Sequence, residues 1–301
     1  MGKTEEMGTE YGSLQYEIME DGVRLTGYRG KDISLAIPEQ IAEKPVRIVG
    51  KKVFLGAKGL GTLVLPDSIE AIGDWAFASC SNLKAVTLPR KKLEVGQGIF
   101  KDCVGLQQIL LSGEKEPDIS YLLAAVMNKL DAFYLFDPTE AGSIEWLSRW
   151  DARMLSLLGQ EDEEGFSKML LCGEEDYGSR ENNLDYYIGQ RKRFKVRLTM
   201  LRLMHDIGLS ANLRDRLLGY LRAHTKGENS EETWKVVLEE HGDDRVYYQF
   251  LLDSGCITDK NLEAALEDMG KSHTEMKAFL MNAKGMQGGT EDVFARLEFG
   301  L

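Results

Sequence analysis

The chain has 301 residues, 43% of them hydrophobic and 29% charged, enough for two domains with substantial cores. Its formal charge is −12, yet the first 115 residues carry 15 basic and 15 acidic side chains, so the whole excess lies beyond them. That acidic field repels phosphates and argues against a general nucleic-acid or anionic-membrane binder. No run reaches the roughly 20 apolar residues of a membrane helix, and the opening MGKTEEMGTEYG has no apolar signal-peptide core. The cysteines, Cys80, Cys103, Cys172 and Cys256, show no CxxC spacing, which suits thiols packed as small hydrophobes in a reduced compartment. The expectation is a cytoplasmic protein. A chain trimmed of a signal peptide, and so secreted or displayed at a cell surface, reads the same.

In chain order, residues 14–28 alternate apolar and polar positions around Asp21-Gly22, a pair favoured in tight hairpin turns. A hairpin here covers the open edge of a repeat stack that begins after it. From Leu60 one pattern is written twice, LGTLVLPDSIEAIGDWAFASCSNL and then LKAVTLPRKKLEVGQGIFKDCVGL. Pro66 to Pro89, Phe77 to Phe100, Cys80 to Cys103 and Leu83 to Leu106 are each 23 apart. An upstream copy keeps the spacing at Gly50 to Gly73 and Phe54 to Phe77, while Pro38 to Pro66 is 28, so it carries about five extra residues. A half-copy, LQQILL, begins at Leu106. Repeats of this length stack into a solenoid. Leu60, Leu63 and Leu65, with Leu83, Val86 and Leu88 and then Leu106, Ile109 and Leu111, have strand spacing with an inward face. Phe54, Phe77 and Phe100 are expected to form an aromatic column, and Ala57, Cys80 and Cys103 a column of small residues. The shifted KKLEV suggests a locally irregular third unit.

The segments IPEQIAEKPVRIVGKKVF, LPDSIEAIGDWAFASCSNL and LPRKKLEVGQGIFKDCVGL resemble the BspA-like leucine-rich repeats of bacteria. The shared positions are an aliphatic-Pro step, an Ile-Gly pair, an Ala-Phe pair and a Cys before the closing Leu. GVRLTGYRG also resembles that family's entry cap, so the likeness spans about residues 14–112. The first unit departs with Ala57 for Cys, and the third with Gln97-Gly98-Ile99 in place of Asp74-Trp75-Ala76. The resemblance implies a binding scaffold, often secreted or on cell surfaces, with no common enzymatic activity.

Strand alternation names the outward face: Ser34 and Ala36, Thr62 and Val64, Ala85 and Thr87, Gln108 and Leu110. Together they make a ladder of small and aliphatic side chains without charge, and such patches mark contact surfaces. Two readings are open. A partner protein binds Ala36, Thr62, Val64, Ala85, Thr87, Gln108 and Leu110, or the chain's own second half covers them.

After Glu114-Lys115-Glu116-Pro117 the apolar period changes from two to 3.6. Helices are expected near 119–136, 143–158, 161–172, 183–206, 210–225, 230–241, 243–254, 258–269, 273–284 and 290–298. Ser143, Ser230, Thr258 and Thr290 stand before first-turn acids as caps, and Gly159, Gly173, Gly208, Gly242, Gly255, Gly270 and Gly285 mark stops. Short links imply stacked helical hairpins. Tyr247 to Lys284 resembles degenerate ankyrin-type hairpins, without their Thr-Pro-Leu-His signature. The expected architecture is multi-domain α+β: a leucine-rich repeat β-solenoid over 14–115, then an acidic all-helical array over 116–301.

Candidate chemistry is sparse. QRKRFKVRLTMLR, from Gln190, places Arg191, Lys195 and Arg202 along one helix flank, with Tyr186, Tyr187 and Phe194 for stacking on RNA. The competing reading pairs it with the acidic clusters Glu161–Glu164 and Glu174–Asp176. Glu174-Glu175-Asp176 lacks the alternate spacing of a calcium loop. His205, His224, His241 and His273 form no HExxH, and His224 and His241 are expected to meet helix-end carbonyls. Nucleophile-elbow, Walker and GxGxxG patterns are absent. The sequence therefore reads as a non-enzymatic interaction scaffold with an unknown protein partner and no cofactor, metal, nucleic acid or membrane expected.

Overall fold

The computed structural model describes residues 4–113, 118–167, 183–226 and 229–283. They fall into two compact units, Met1–Leu158 and Gly159–Leu301.

The first unit opens with three antiparallel strands, β1 (Thr4–Gly8), β2 (Gly12–Ile18) and β3 (Val23–Gly30). The hairpin between β2 and β3 closes where Asp21-Gly22 places it, with the Met19 N–H on the Gly22 carbonyl at 2.8 Å. Strand β1 carries no repeat, and nothing in the sequence pattern signals it. Beyond β3 the chain winds into coils whose strands form two parallel sheets. The sheet seeded by β3 continues through β6 (Lys44–Val49), β8 (Ala71–Ile72) and β10 (Glu94–Val95). The second holds β4 (Ser34–Ala36), β7 (Thr62–Val64), β9 (Ala85–Leu88) and β11 (Gln108–Leu111), in the spatial order β11-β9-β7-β4. The extra residues of the first coil fold back as β5 (Gln40–Ile41) on β6. Their turn holds Ala42 and Glu43 at φ 51° and 61°.

A third wall is made of tight turns, and its backbone repeats as faithfully as its sequence. Lys52, Trp75 and Gly98 share positive φ, as do Gly56, Ser79 and Asp102. N–H groups of one coil donate to carbonyls of the next: Phe54 to Ala76 at 2.8 Å and Phe77 to Ile99 at 3.0 Å. Phe54, Phe77 and Phe100 stack with centroids 5.6 and 5.2 Å apart, as expected, and Tyr28 of the entry cap adds a ring 5.2 Å from Phe54. Leu63, Val86 and Ile109 fill the space between the walls and are buried. In the third coil Val95 keeps the 23-residue register opposite Ile72. The irregularity is confined to the turn before it, where exposed Lys92 stands in the place of buried Ile69.

Two helices finish this unit. Helix α1 (Ser120–Asn128) packs on β11, and Asn128 donates from Nδ2 to the Leu106 carbonyl at 2.7 Å. A 3-10 turn over Phe133–Leu135 leads to α2 (Ile144–Leu158), whose Trp150 donates to the Leu122 carbonyl at 3.0 Å and Trp146 to that of Leu135 at 2.8 Å. The expected single helix over 119–136 breaks after Asn128, because Asp131 takes φ 45° and turns the chain back. The texture change at residue 115/116 thus does not coincide with the division between compact units.

The second unit is helical: α3 (Leu184–Met204), α4 (Ala211–Ala223), α5 (Glu232–Glu240), α6 (Arg245–Asp253), α7 (Leu262–Asp268) and α8 over 274–283. Asn183, Ser210 and Asp244 cap α3, α4 and α6 with their side chains. Thr258, expected as a cap, instead begins a turn closed by Asn261. Gly255 and Gly270 stop helices at positive φ, while Gly208, also at positive φ, lies in the turn beyond the C-cap His205. Trp234 and Tyr248 meet edge to face in the core, 6.2 Å apart. Residues 168–172 of the expected segment 161–172, all of 290–298, and the features at Cys172, Gly173, Glu174–Asp176, Gly285 and Thr290 lie outside the described residues.

Candidate functional site

The outward side chains of the second sheet form two rows. Cα pairing places Ser34, Thr62, Ala85 and Gln108 abreast in one and Ala36, Val64, Thr87 and Leu110 abreast in the other. The alternation that turns Leu35, Leu63, Val86 and Ile109 inward turns these eight outward. Val64 is 42% exposed and Leu110 37%, high for aliphatic side chains on a sheet. Thr62 donates to the Ser34 hydroxyl at 2.8 Å, and Gln108 donates to the Ser120 hydroxyl at 3.1 Å, tying the ladder's end to α1. Ile33, just before β4, is 75% exposed. No carboxylate or ammonium group lies in either row. The surface is shaped for apolar and hydroxyl contact rather than for moving protons or holding ions.

The other candidates resolve into structural roles. Cys80 and Cys103 are buried and donate to the carbonyls of Phe54 and Phe77 in the preceding coil, both at 3.0 Å. Burial and the adjacent Cys80 thiol place Cys103 well above the ordinary thiol range, with the neighbouring thiol the larger cause. On α3 the basic run is met by carboxylates. Lys195 lies 2.7 Å from Asp162, and Arg193 bonds Glu232 at 2.8 Å and Glu239 at 2.7 Å. Arg197 pairs with Glu240, and buried Arg202 donates to the carbonyls of His205 and Ile207 beyond the helix end. Most of these acids come from α5, which no sequence spacing singles out as the partner. Tyr187 is taken up by the Glu164 carbonyl at 2.7 Å. His224 meets the Tyr220 carbonyl at 2.8 Å, as a histidine at a helix end should. His241 stacks on Tyr247 at 3.6 Å, and its burial holds the imidazole below its ordinary pKa. Among the described residues no three metal-ligating side chains converge, and no helix is long and apolar enough to cross a membrane.

The repeating coil carries an aromatic column, a buried cysteine column and an Ile-Gly step. Residues 35–122 match the BspA type leucine rich repeat region, in six copies. This leucine-rich repeat segment also has solved relatives. A leucine-rich repeat protein of T. pallidum is 33% identical over 35% of this chain and 50% of its own, with a TM-score of 0.32. A leucine rich cell surface protein of Faecalibacterium prausnitzii is 24% identical over 35% of this chain and 30% of its own, with a TM-score of 0.30. A leucine-rich repeat protein of Bacteroides ovatus is 23% identical over 35% and 29%, also at 0.30. The chain spans half the length of the first and less than a third of the other two. None of the curated proteins matches. The cytoplasmic placement expected from the sequence gains no support from these relatives. The family match ends at residue 122 and lends nothing to the ankyrin likeness of the later helices.

Proposed function

We propose that this protein is a non-enzymatic interaction scaffold whose leucine-rich repeat sheet docks a partner protein on Ala36, Thr62, Val64, Ala85, Thr87, Gln108 and Leu110. The observation that carries the reading is the pair of uncharged rows, in register across four strands, with Val64 and Leu110 standing exposed. Leucine-rich repeat proteins serve as interaction scaffolds and are generally not enzymes, which agrees with it. A parallel sheet holds its outward side chains at fixed spacing, so a partner meets a rigid template at little ordering cost. The basic run on α3 is a poor alternative, since Arg193, Lys195 and Arg197 are already paired with carboxylates.

The test is affinity capture from a native lysate with the wild type beside the Val64→Arg/Thr87→Arg double variant, with melting curves on both. A bound protein lost from a variant that melts normally supports the surface. Undiminished capture by the variant removes it. A variant that melts early means instead that the face is packed on, because an arginine there would bury an unpaired charge.

A further inference from the structure

The coils are joined along the turn wall by a fixed set of bonds, and the last coil leaves its set unmade. In the first coil the N–H groups of Lys52, Phe54 and Gly56 donate to the carbonyls of Asp74, Ala76 and Ala78. In the second, those of Trp75, Phe77 and Ser79 donate to Gln97, Ile99 and Lys101. The counterparts in the third coil are the N–H groups of Gly98, Phe100 and Asp102, and they have no acceptor among the described residues. Beside them β10 is the edge of its sheet. Its Val95 carbonyl, counterpart of the Val49 and Ile72 carbonyls that accept from Gly73 and Gly96, is also without a donor among the described residues. Helix α1 packs on β11 of the other sheet, and on this side its Met127 stands across a cleft from Gly98 and Phe100.

Next to the unmade bonds is a cleft of about 400 Å³, with Gly98, Phe100 and Lys101 on one wall and Met127, Asp131 and Phe133 on the other. Phe133 is 48% exposed there, and the neighbouring Tyr134 66%. Unpaired backbone groups and an apolar cleft call for different parts of one ligand. The first wants an extended main chain and the second an apolar side chain.

We propose that the open end of the solenoid is a second binding site, which takes an extended peptide segment of a partner protein as an additional coil. The third coil itself shows the pattern required. Its Gly96 N–H, its carbonyls at Gln97, Ile99 and Lys101, and its Phe100 ring are the groups that dock it on the second. A partner segment therefore offers one N–H to Val95, alternate carbonyls to Gly98, Phe100 and Asp102, and an aromatic side chain to the cleft beside Phe133. Main-chain bonds supply the affinity, and the aromatic residue selects the segment.

The probe is a synthetic peptide copying residues 93–102, acetylated and amidated, added to the full chain while amide exchange is followed residue by residue. At a peptide concentration near nine times its Kd, exchange at Gly98 and Asp102 should slow about tenfold. The same peptide with serine in place of its phenylalanine should give no protection. A Phe133→Asp variant that melts like the wild type should lose the protection as well. Unchanged exchange at millimolar peptide overturns the proposal. So does protection that appears in the second sheet instead, or that survives Phe133→Asp intact. Protection that rises with protein concentration when no peptide is present would assign the edge to a second copy of this chain and overturn it too.

Discussion

Cys103 donates its thiol proton to the carbonyl oxygen of Phe77, 3.0 Å away in the preceding coil, and Cys80 repeats the bond to Phe54. Each thiol thus fastens its own coil to the aromatic column of the one before. The bond between the two thiols raises Cys103 and lowers Cys80, so protonation does not protect both, but each is buried and out of reach of an alkylating reagent while the solenoid is folded. In native protein at pH 8, iodoacetamide should leave Cys80 and Cys103 unmodified and label both once urea unfolds the solenoid. Cys80→Ala should cost about 1 kcal/mol by urea denaturation, because only a weak bond and one buried atom are lost. The first coil already accepts Ala57 in this column. Rapid labelling of the native protein would mean that the column is open.

The turn between β5 and β6 holds Ala42 and Glu43 at positive φ, where a side chain strains the backbone. Two such residues in succession suit a hairpin turn that favours Asn-Gly. Ala42→Asn with Glu43→Gly should raise stability by about 1 kcal/mol, read as a higher urea midpoint at unchanged slope. The turn wall gives the converse. Gly56 has φ 70° and open space around its Cα, so Gly56→Ala should cost about 1 kcal/mol through backbone strain alone. No loss there would mean that the wall can relax.

The repeats were legible because the same position does the same work three times. Phe54, Phe77 and Phe100 stack as the 23-residue spacing required, and strand alternation turns the ladder outward. What was not legible has no period. β1 is a charged strand whose only instruction is its pairing with β2. Asp32 lies between the entry cap and β4 and finds its partners from three places in the chain. α1 and α2 were readable as helices, but their apolar faces do not say that they pack with the solenoid. The open end was also hidden, since a missing backbone bond leaves no mark on side-chain pattern.

Asp32 is buried beneath the entry cap, and burial alone would raise its pKa. Hydrogen bonds from the Thr9 hydroxyl at 2.7 Å, the Tyr11 N–H at 2.8 Å and the Tyr28 hydroxyl at 2.8 Å outweigh that and hold it below the ordinary value. A lowered carboxyl pKa gives stability that is present above the unfolded value near 4 and is lost as pH falls through the folded one. Burial, and then its bond to Asp32, push the Tyr28 hydroxyl up to about 12. Its contribution is complete below the unfolded value of about 10 and is lost as pH rises from there toward 12. Melting temperature should therefore fall below about pH 4 and again above about pH 10. Tyr28→Phe should cost about 1 kcal/mol at neutral pH and lessen the alkaline fall, to which Tyr248 and Tyr220, also raised by burial, still contribute. An alkaline fall of the same size in that variant would place its origin elsewhere.

The end of the solenoid next to β11 is closed by α1, and α1 is held by α2 through the Trp150 bond to the Leu122 carbonyl. Trp146 and Trp150 are both fully buried, so this closure is core and not decoration. A fragment ending at residue 112 would leave Leu106, Ile109 and Leu111 facing water at the end of a stack, with no layer beyond them. It should bind a hydrophobic dye and melt without a cooperative transition. A fragment ending at residue 158 keeps α1 and α2 and should melt cooperatively. In the full chain, Trp150→Ala should cost about 3–5 kcal/mol, the range for a large aromatic residue lost from a core. If the shorter fragment melts as cooperatively as the longer, β11 is a sufficient end for the solenoid and the two helices are accessory to it.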